Sequence, residues 1–428
     1  MARFMSLVDA YGSARSWRMM TRSATRANGP MSYFIQWRGR VLLIVASLSL
    51  LAPLLTLYWP AAGGLDVTGH PIGRDFINVW SAPQVAFRGK IETLFDVHAY
   101  HEAIGALFGR PLPFHNWSYP LYSLFAFWPL AQLPYFWALA VWTVGLFAIF
   151  STVVLREIEP SCRLPALTLL AAAPACLLNV ISGQNGFLSA ALFLGGVLCI
   201  DRRPVLAGVL FGLLTFKPHF GVVLPFALLA LRAWRVIAIA AVTGLTFFAL
   251  SVAVFGPDAW VKYLTATGAI QTSLLEYFKG FYTTMMVSVL ACLRASGVPY
   301  GTAVPIQAAV SVAAIAGATW AVRHASDPCR RAFILVTATL LATPYAFNYD
   351  MTALAGILVW LMGGRLRPSS LVGPVYIFAW LAPAPVMILA LFGVGFAPFV
   401  TLFYLFALFG IAISDTFLTK VLCRKFRR

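Results

Sequence analysis

The chain alternates between long apolar runs and short polar connections that are rich in arginine. The runs are about 14 to 22 residues long and show no alternation of apolar and polar positions, so they predict spanning helices rather than barrel strands. We expect an all-α polytopic membrane protein with about twelve spans. The predicted spans cover residues 41–59, 135–155, 164–181, 186–200, 204–216, 219–232, 236–256, 301–322, 331–344, 351–364, 371–390 and 397–418.

The placement of Lys and Arg predicts the topology. Arginines are scattered through residues 1–38, which favours a cytoplasmic start. The later basic connections face the same side only if the apolar pieces 119–134 and 282–297 re-enter or lie at the interface instead of crossing. Both termini are then cytoplasmic, and the long loop 60–134 is extracytoplasmic.

This topology divides the chain into a basic N-terminal segment, residues 1–38, a single transmembrane domain, residues 39–422, and a basic tail, residues 423–428. Loop 60–134 belongs to the transmembrane domain and is too long for an idle connection, so we expect it to be functional.

Composition narrows the class further. The chain is 61% hydrophobic and 11% charged, and its net charge of +17 comes from basic residues spread between apolar runs. Such residues contact anionic lipid headgroups, so we expect membrane lipids and no nucleic acid as partners. The six cysteines are scattered and no phosphate-binding glycine loop of the ATPase type is present, so we expect neither a metal site nor a cofactor.

Five polar clusters fall on the extracytoplasmic face under this topology, although they come from distant parts of the chain. They are Asp75 with its neighbours, residues 183–186, residues 217–219, residues 258–282 and residues 343–350. Ionisable residues at a membrane edge are costly and mark functional sites, so the sequence predicts a site on this face.

Asp75 lies in an apolar and aromatic stretch, where a carboxylate can have a raised pKa and accept a proton from a hydroxyl. The alternative interpretations are a helix N-cap or a local pair with Arg74.

Lys217 precedes Pro218 and His219 between two apolar segments, and its ammonium suits a phosphate. Equally, Lys217 could extend to the interface as terminal lysines often do.

The remaining polar candidates are residue types that bind sugars. The amides of Gln184 and Asn185 can bond sugar hydroxyls or simply form a turn. Tyr345, Tyr349 and Asp350 make a similar cluster, although Asp350 could instead cap the next helix. Tyr119 and Tyr282 complete the set of candidates for sugar or acceptor binding.

These segments, in this order and spacing, resemble the polyprenyl-phosphate-mannose-dependent α-mannosyltransferases of glycosyltransferase family 87, which have the membrane GT-C fold. The segments lie between about residues 70 and 365 and read GRDF at 73–76, LFD at 94–96, YP at 119–120, WPL at 128–130, SGQNG at 182–186, PVLAG at 204–208, KPH at 217–219, FGPDAW at 255–260, TPY at 343–345 and YD at 349–350. The chain departs from the family pattern at Leu121, where a second proline is usual, and at His219, where Gln is common.

The resemblance implies a GT-C-like bundle and an inverting transfer of a sugar, mannose by expectation, from polyprenyl phosphate to a lipid- or glycan-linked acceptor. Asp75 would be the general base, and Lys217 with His219 and Arg74 would bind the donor phosphate. It also implies a multi-pass protein of a bacterial-type inner membrane with an extracytoplasmic site. A flippase of lipid-linked sugars and an inactive scaffold are the alternatives.

Overall fold

The computed structural model describes residues 37–277, 285–366, 373–392 and 397–425. Regular structure in these ranges is helical, apart from isolated bridges. The α-helices, two of them interrupted by a π segment, are Trp37–Leu57, Phe76–Phe87, Val97–Phe108, Ser123–Ala131, Tyr135–Leu155, Arg163–Ala172, Pro174–Ile181, Gly186–Cys199, Pro204–Leu214, Leu224–Ala230, Trp234–Phe255, 257–277, Val289–Ala295, Tyr300–Val322, Pro328–Ala342, Thr352–Met362, Gly373–Leu381, Pro383–Leu391 and Ala397–Lys425. Short 3-10 helices are Ala62–Gly64, Ile91–Phe95, Pro160–Cys162, Pro218–Gly221 and Asn348–Met351.

Among the described helices, four are long and apolar enough to cross a bilayer: Trp37–Leu57, Tyr135–Leu155, Trp234–Phe255 and Tyr300–Val322. Pro160–Ala172 and Pro174–Ile181 meet at an angle of 54°, and the two together are a fifth candidate span if they cross the bilayer as one. Gly186–Cys199 and Pro204–Leu214 are apolar but shorter, with 14 and 11 residues. The apolar helices indicate a membrane protein, whereas the count of twelve spans stays a prediction.

The two segments that we expected not to cross contain only short helices, Ser123–Ala131 and Val289–Ala295. At 1.5 Å per residue neither helix spans about 30 Å of hydrocarbon. Their re-entry and the division into domains stay predictions. Of the predicted terminal segments, residues 1–36 and 426–428 lie outside the described residues, as does Tyr282.

Three helices form the centre of the bundle and are almost entirely buried: Gly186–Cys199, Pro328–Ala342 and Thr352–Met362. Each is apolar on nearly all sides, as a helix surrounded by others must be. Trp234–Phe255 lies at the periphery: its buried residues are Val236 and Ser251, and it exposes Val242, Leu245 and other apolar side chains. Such a surface suits contact with lipid.

Close packing of Pro204–Leu214 on Trp234–Phe255 fixes the position of the segment that carries Lys217. Gly208 and Gly212 lie four residues apart, and a Cβ on Gly212 would lie 2.5 Å from Thr243 Cβ. Small residues at this spacing let two backbones approach in a membrane. Helix Trp234–Phe255 therefore holds the end of Pro204–Leu214 in place, three residues before Lys217.

Charged side chains gather at the end of the bundle where Pro328–Ala342 begins. Arg365 bonds Glu157 at 3.1 Å and Asp327 at 2.7 Å, and Arg331 bonds Asp201 at 2.8 Å. Residues 343–351 lie at the other end of the same helix. The ion pairs of Arg331 and Arg365 and the polar 343–350 cluster thus lie at opposite ends of helix Pro328–Ala342.

Candidate active site

A cavity of about 530 Å³ lies at the end of the bundle opposite the ion pairs, a size usual for small-ligand sites. Distant parts of the chain line it. Eight predicted site residues are among its lining residues: Asp75, Tyr119, Gln184, Asn185, Lys217, His219, Tyr345 and Tyr349.

Asp75 is held at the cavity by the turn that precedes helix Phe76–Phe87. Its backbone N–H donates to Ser182 O at 3.3 Å, and Gln184 Nε2 donates to Asp75 Oδ2 at 2.5 Å. The carboxylate makes no capping bond to the helix that follows it. The side chain therefore faces the cavity with one oxygen bonded to a neutral amide, which rules out the N-cap interpretation.

Arg74 does not line the cavity. Its guanidinium donates to Asp66 at 2.9 Å and to Leu57 O at 3.2 Å, and it lies 4.0 Å from the ring centroid of Tyr58. Arg74 has a φ of 38° in the turn before helix Phe76–Phe87. The residue holds the 66–75 loop together, and its contact with donor phosphate stays a prediction.

Gly183 allows the turn that presents Gln184 to touch the turn that presents Asp75. Its φ is +60°, and a Cβ there would lie 2.0 Å from Gly73 O. Trp142 Nε1 donates to Gly183 O at 3.2 Å and holds the turn from the other side. The two turns can pack this closely only because residue 183 has no side chain.

We expect Gly183→Ala to unfold at a clearly lower temperature than the wild type and to lose activity, because the added methyl group forces the two turns apart. Gly297→Ala is the matched control: its φ is +84°, and a Cβ there would have no neighbour within 4 Å. The control pays only the left-handed backbone cost of about 1–2 kcal/mol. Equal melting temperatures for the two variants in detergent would contradict the role of this contact.

Lys217 is buried rather than extended to the membrane surface, since its side chain is 4% exposed. Its Nζ donates to Asn185 Oδ1 at 2.9 Å and to the carboxylate of Asp350. The ammonium also lies 5.2 Å from the ring centroid of Tyr349. Two of its three N–H groups have protein partners, so one remains for a ligand in the cavity.

Asp350 is displaced from its expected role as a sugar ligand. It is 1% exposed and does not line the cavity, because one oxygen accepts from Lys217 and the other from Phe347 N at 3.1 Å. Burial raises the pKa of Asp350, and the charge of Lys217 opposes that rise. Asp350 therefore positions Lys217 and compensates its charge.

Gln184 and Asn185 connect the acid to the amine. Gln184 bonds Asp75, while its neighbour Asn185 accepts from Lys217 and donates to Tyr119 Oη at 2.7 Å. The dipeptide thus forms a turn whose side chains bond the ionisable groups, and its binding of sugar hydroxyls stays a prediction. Adjacent backbone positions fix the two ionisable groups relative to each other.

Tyr345 and His219 occupy the same wall, with ring centroids 5.8 Å apart. Burial raises the pKa of Tyr345 to about 12, so its phenol is protonated and can donate a hydrogen bond. Nε2 of His219 is buried and has no partner among the described atoms. Buried polar atoms are normally bonded, so this nitrogen is available to a ligand.

The cavity also contains polar residues that the sequence did not single out as ligands. They are Asn78, Asn116, Ser118, Thr267, Gln271 and Thr272. Thr267, Gln271 and Thr272 belong to the predicted polar cluster 258–282, but no local signal distinguishes Gln271 within it. Within the described part of the chain, no group of three or more His, Cys, Asp or Glu side chains is arranged for a metal.

A helical membrane protein whose ionisable residues converge on one cavity is organised as a membrane enzyme or transporter. The family model described as Glycosyltransferase family 87 matches residues 117–344, and the chain belongs to that family. It is therefore a glycosyltransferase, and the predicted family is confirmed. No curated protein and no solved structure matches the chain. The matched range includes Lys217 but not Asp75.

Proposed function

We propose that the protein is an inverting glycosyltransferase that moves a sugar, mannose by expectation, from a polyprenyl-phosphate donor to a hydroxyl of a glycolipid or glycan. The observation that carries this proposal is the single cavity shared by Asp75 and Lys217, with Gln184 and Asn185 between them. A base and a cation that face one volume are what a one-step displacement requires.

Asp75 acts as the general base. Its free carboxylate oxygen takes the proton of the acceptor hydroxyl while that oxygen forms a bond to sugar C1. The bond between C1 and the phosphate oxygen breaks, and its electron pair leaves with the polyprenyl phosphate. A single displacement of this kind inverts the anomeric carbon, so a β-linked donor sugar gives an α-linked product.

Lys217 stabilises the departing phosphate through its remaining N–H, and Nε2 of His219 lies on the same wall. A phosphate monoester is a stable leaving anion, so no acid of the glycosidase type is needed. Asp350 and Asn185 hold the ammonium in place before the substrate arrives, which avoids reorganisation during the reaction.

The active face is extracytoplasmic in this proposal, and the protein lies in a bacterial-type inner membrane with both termini in the cytoplasm. Support comes from the two ends of the bundle: Arg331 and Arg365 lie at the end opposite the cavity. Basic residues favour the cytoplasmic side of a membrane.

The direct test supplies purified protein in lipid nanodiscs with polyprenyl-phosphate-[14C]mannose and neutral octyl glycosides. We expect label on the glycoside and release of an equal amount of polyprenyl phosphate. A flippase would move intact donor across proteoliposomes, and a scaffold would leave the donor unchanged. Either result without transfer would contradict the proposed function.

A further inference from the structure

One part of the cavity wall is polar and, among the described residues, uncharged. Helix 257–277 contributes Thr267, Gln271 and Thr272 to this wall. The same helix carries the charged residues Asp258, Lys262 and Glu276, none of which lines the cavity. The helix therefore presents amide and hydroxyl groups to the ligand and keeps its charges elsewhere.

Three side chains of this wall form a bonded unit. Gln271 Nε2 donates to Ser118 Oγ at 2.8 Å, and Asn116 Nδ2 donates to the same oxygen at 3.0 Å. Tyr263 Oη donates to Ser118 O at 3.3 Å and holds helix 257–277 against the loop. We call Asn116, Ser118 and Gln271 the amide–hydroxyl triad.

The hydrogen bonds within the triad decide what it offers a ligand. Because Ser118 Oγ accepts two N–H groups, its own hydrogen is free to donate. The amide oxygens of Asn116 and Gln271 accept no bond within the described part of the chain, so they can accept hydroxyl hydrogens. One donor and two acceptors, all neutral, match the vicinal hydroxyls of a sugar.

Depth separates this unit from the phosphate end of the cavity. Lys217 is buried, whereas Gln271 is half-buried and the adjoining Thr272 is exposed. The triad thus lies nearer the mouth, where a glycan can extend outward. It is also connected to the base, because Tyr119, the residue after Ser118, accepts from Asn185, and Gln184 beside Asn185 donates to Asp75.

We propose that the amide–hydroxyl triad is the acceptor subsite and that it takes an uncharged sugar. This proposal rests on the proposed function, since the donor phosphate is placed at Lys217. The described residues of this wall offer a charged acceptor unit no partner of opposite charge, so such a unit would lose hydration without compensation.

The test uses polyprenyl-phosphate-[14C]mannose as donor and three acceptors: octyl α-D-mannopyranoside, octyl β-D-glucopyranoside and the anionic octyl β-D-glucuronide. For Gln271→Ala and Ser118→Ala we expect the KM of neutral acceptors to rise about tenfold for each variant, as for loss of a hydrogen bond. Donor affinity, measured by binding labelled donor without acceptor, should change less than twofold.

Ser118→Thr keeps the hydroxyl and should restore the wild-type acceptor KM, which a merely structural role does not explain. Thr265→Ala is the matched control, because Thr265 lies on the same helix, is exposed and bonds only its own backbone. A lowered melting temperature identifies a misfolded variant. If either alanine variant is misfolded, the acceptor KM of the other alanine variant decides the test.

A weakened donor affinity with an unchanged acceptor KM would overturn the proposal, since the triad would then bind the donor sugar. Preference of the wild type for the glucuronide, or no use of any neutral glycoside by protein that binds donor, would also overturn it. Failure of the wild type to bind or cleave donor at all contradicts the proposed function instead.

Discussion

Asp75→Asn is expected to slow sugar transfer about 10²- to 10⁴-fold, the range that a positioned base supplies. Asparagine has nearly the same shape and can still accept the bond from Gln184, so donor binding and melting temperature should stay close to wild type. The measurement is the initial rate of label transfer at saturating donor and acceptor.

Asp258→Asn is the matched control for the loss of one carboxylate, because Asp258 opens helix 257–277 and does not line the cavity. It should retain the wild-type rate. Undiminished transfer by Asp75→Asn would remove Asp75 from the mechanism, while Lys217 would keep its place in the cavity.

Lys217→Met is expected to have the second large effect, a loss of about 10²- to 10³-fold in kcat/KM for polyprenyl-phosphate-mannose. Losses of this size follow the removal of one preorganised hydrogen-bond donor to a developing anion. The variant should also lose about 3–5 kcal/mol of stability, because Asp350 is left as an uncompensated buried charge. Donor binding, initial rates and thermal unfolding measure the two losses separately.

A double variant separates catalysis from folding. Lys217→Met with Asp350→Asn removes both charges, and the asparagine oxygen can still accept from Phe347 N. We expect most of the stability to return, with transfer still lost. Recovery of transfer together with stability would show that Lys217 acts only through the fold.

The apolar pattern predicted the positions of three of the long helices well. Predicted spans 135–155, 236–256 and 301–322 match Tyr135–Leu155, Trp234–Phe255 and Tyr300–Val322 closely. The predicted spans 164–181 and 371–390 are each divided in the structure, and Pro174 and Pro383 begin the second halves. Proline cannot donate the helical hydrogen bond, which accounts for both divisions. Pro305 lies inside the unbroken helix Tyr300–Val322, however, so the sequence did not tell which prolines divide a span.

The site was predictable by residue type but not by pairing. Lys217 and Asp350 are 133 positions apart, and Asp75 and Gln184 are 109 apart, distances over which no periodicity relates one residue to another. Asp350 and Arg74 were expected to bind ligand, but Asp350 pairs with Lys217, and Arg74 pairs with Asp66, eight positions earlier. Gln271 was not singled out within its cluster because its partner Ser118 is 153 positions away.

The sequence alone determined that the protein is helical and apolar, and its motif order pointed to the family, because burial in a membrane and helix formation leave a local pattern in each run. Only the tertiary structure decided that Lys217 bonds Asp350 and Asn185, that Arg74 bonds Asp66, and that Ser118 bonds Gln271. These contacts depend on how closely the elements pack. At Gly183 and Gly208 close packing is possible because the residue has no side chain. The sequence shows the glycine but not the neighbouring element that approaches it, so this effect is visible only in the tertiary structure.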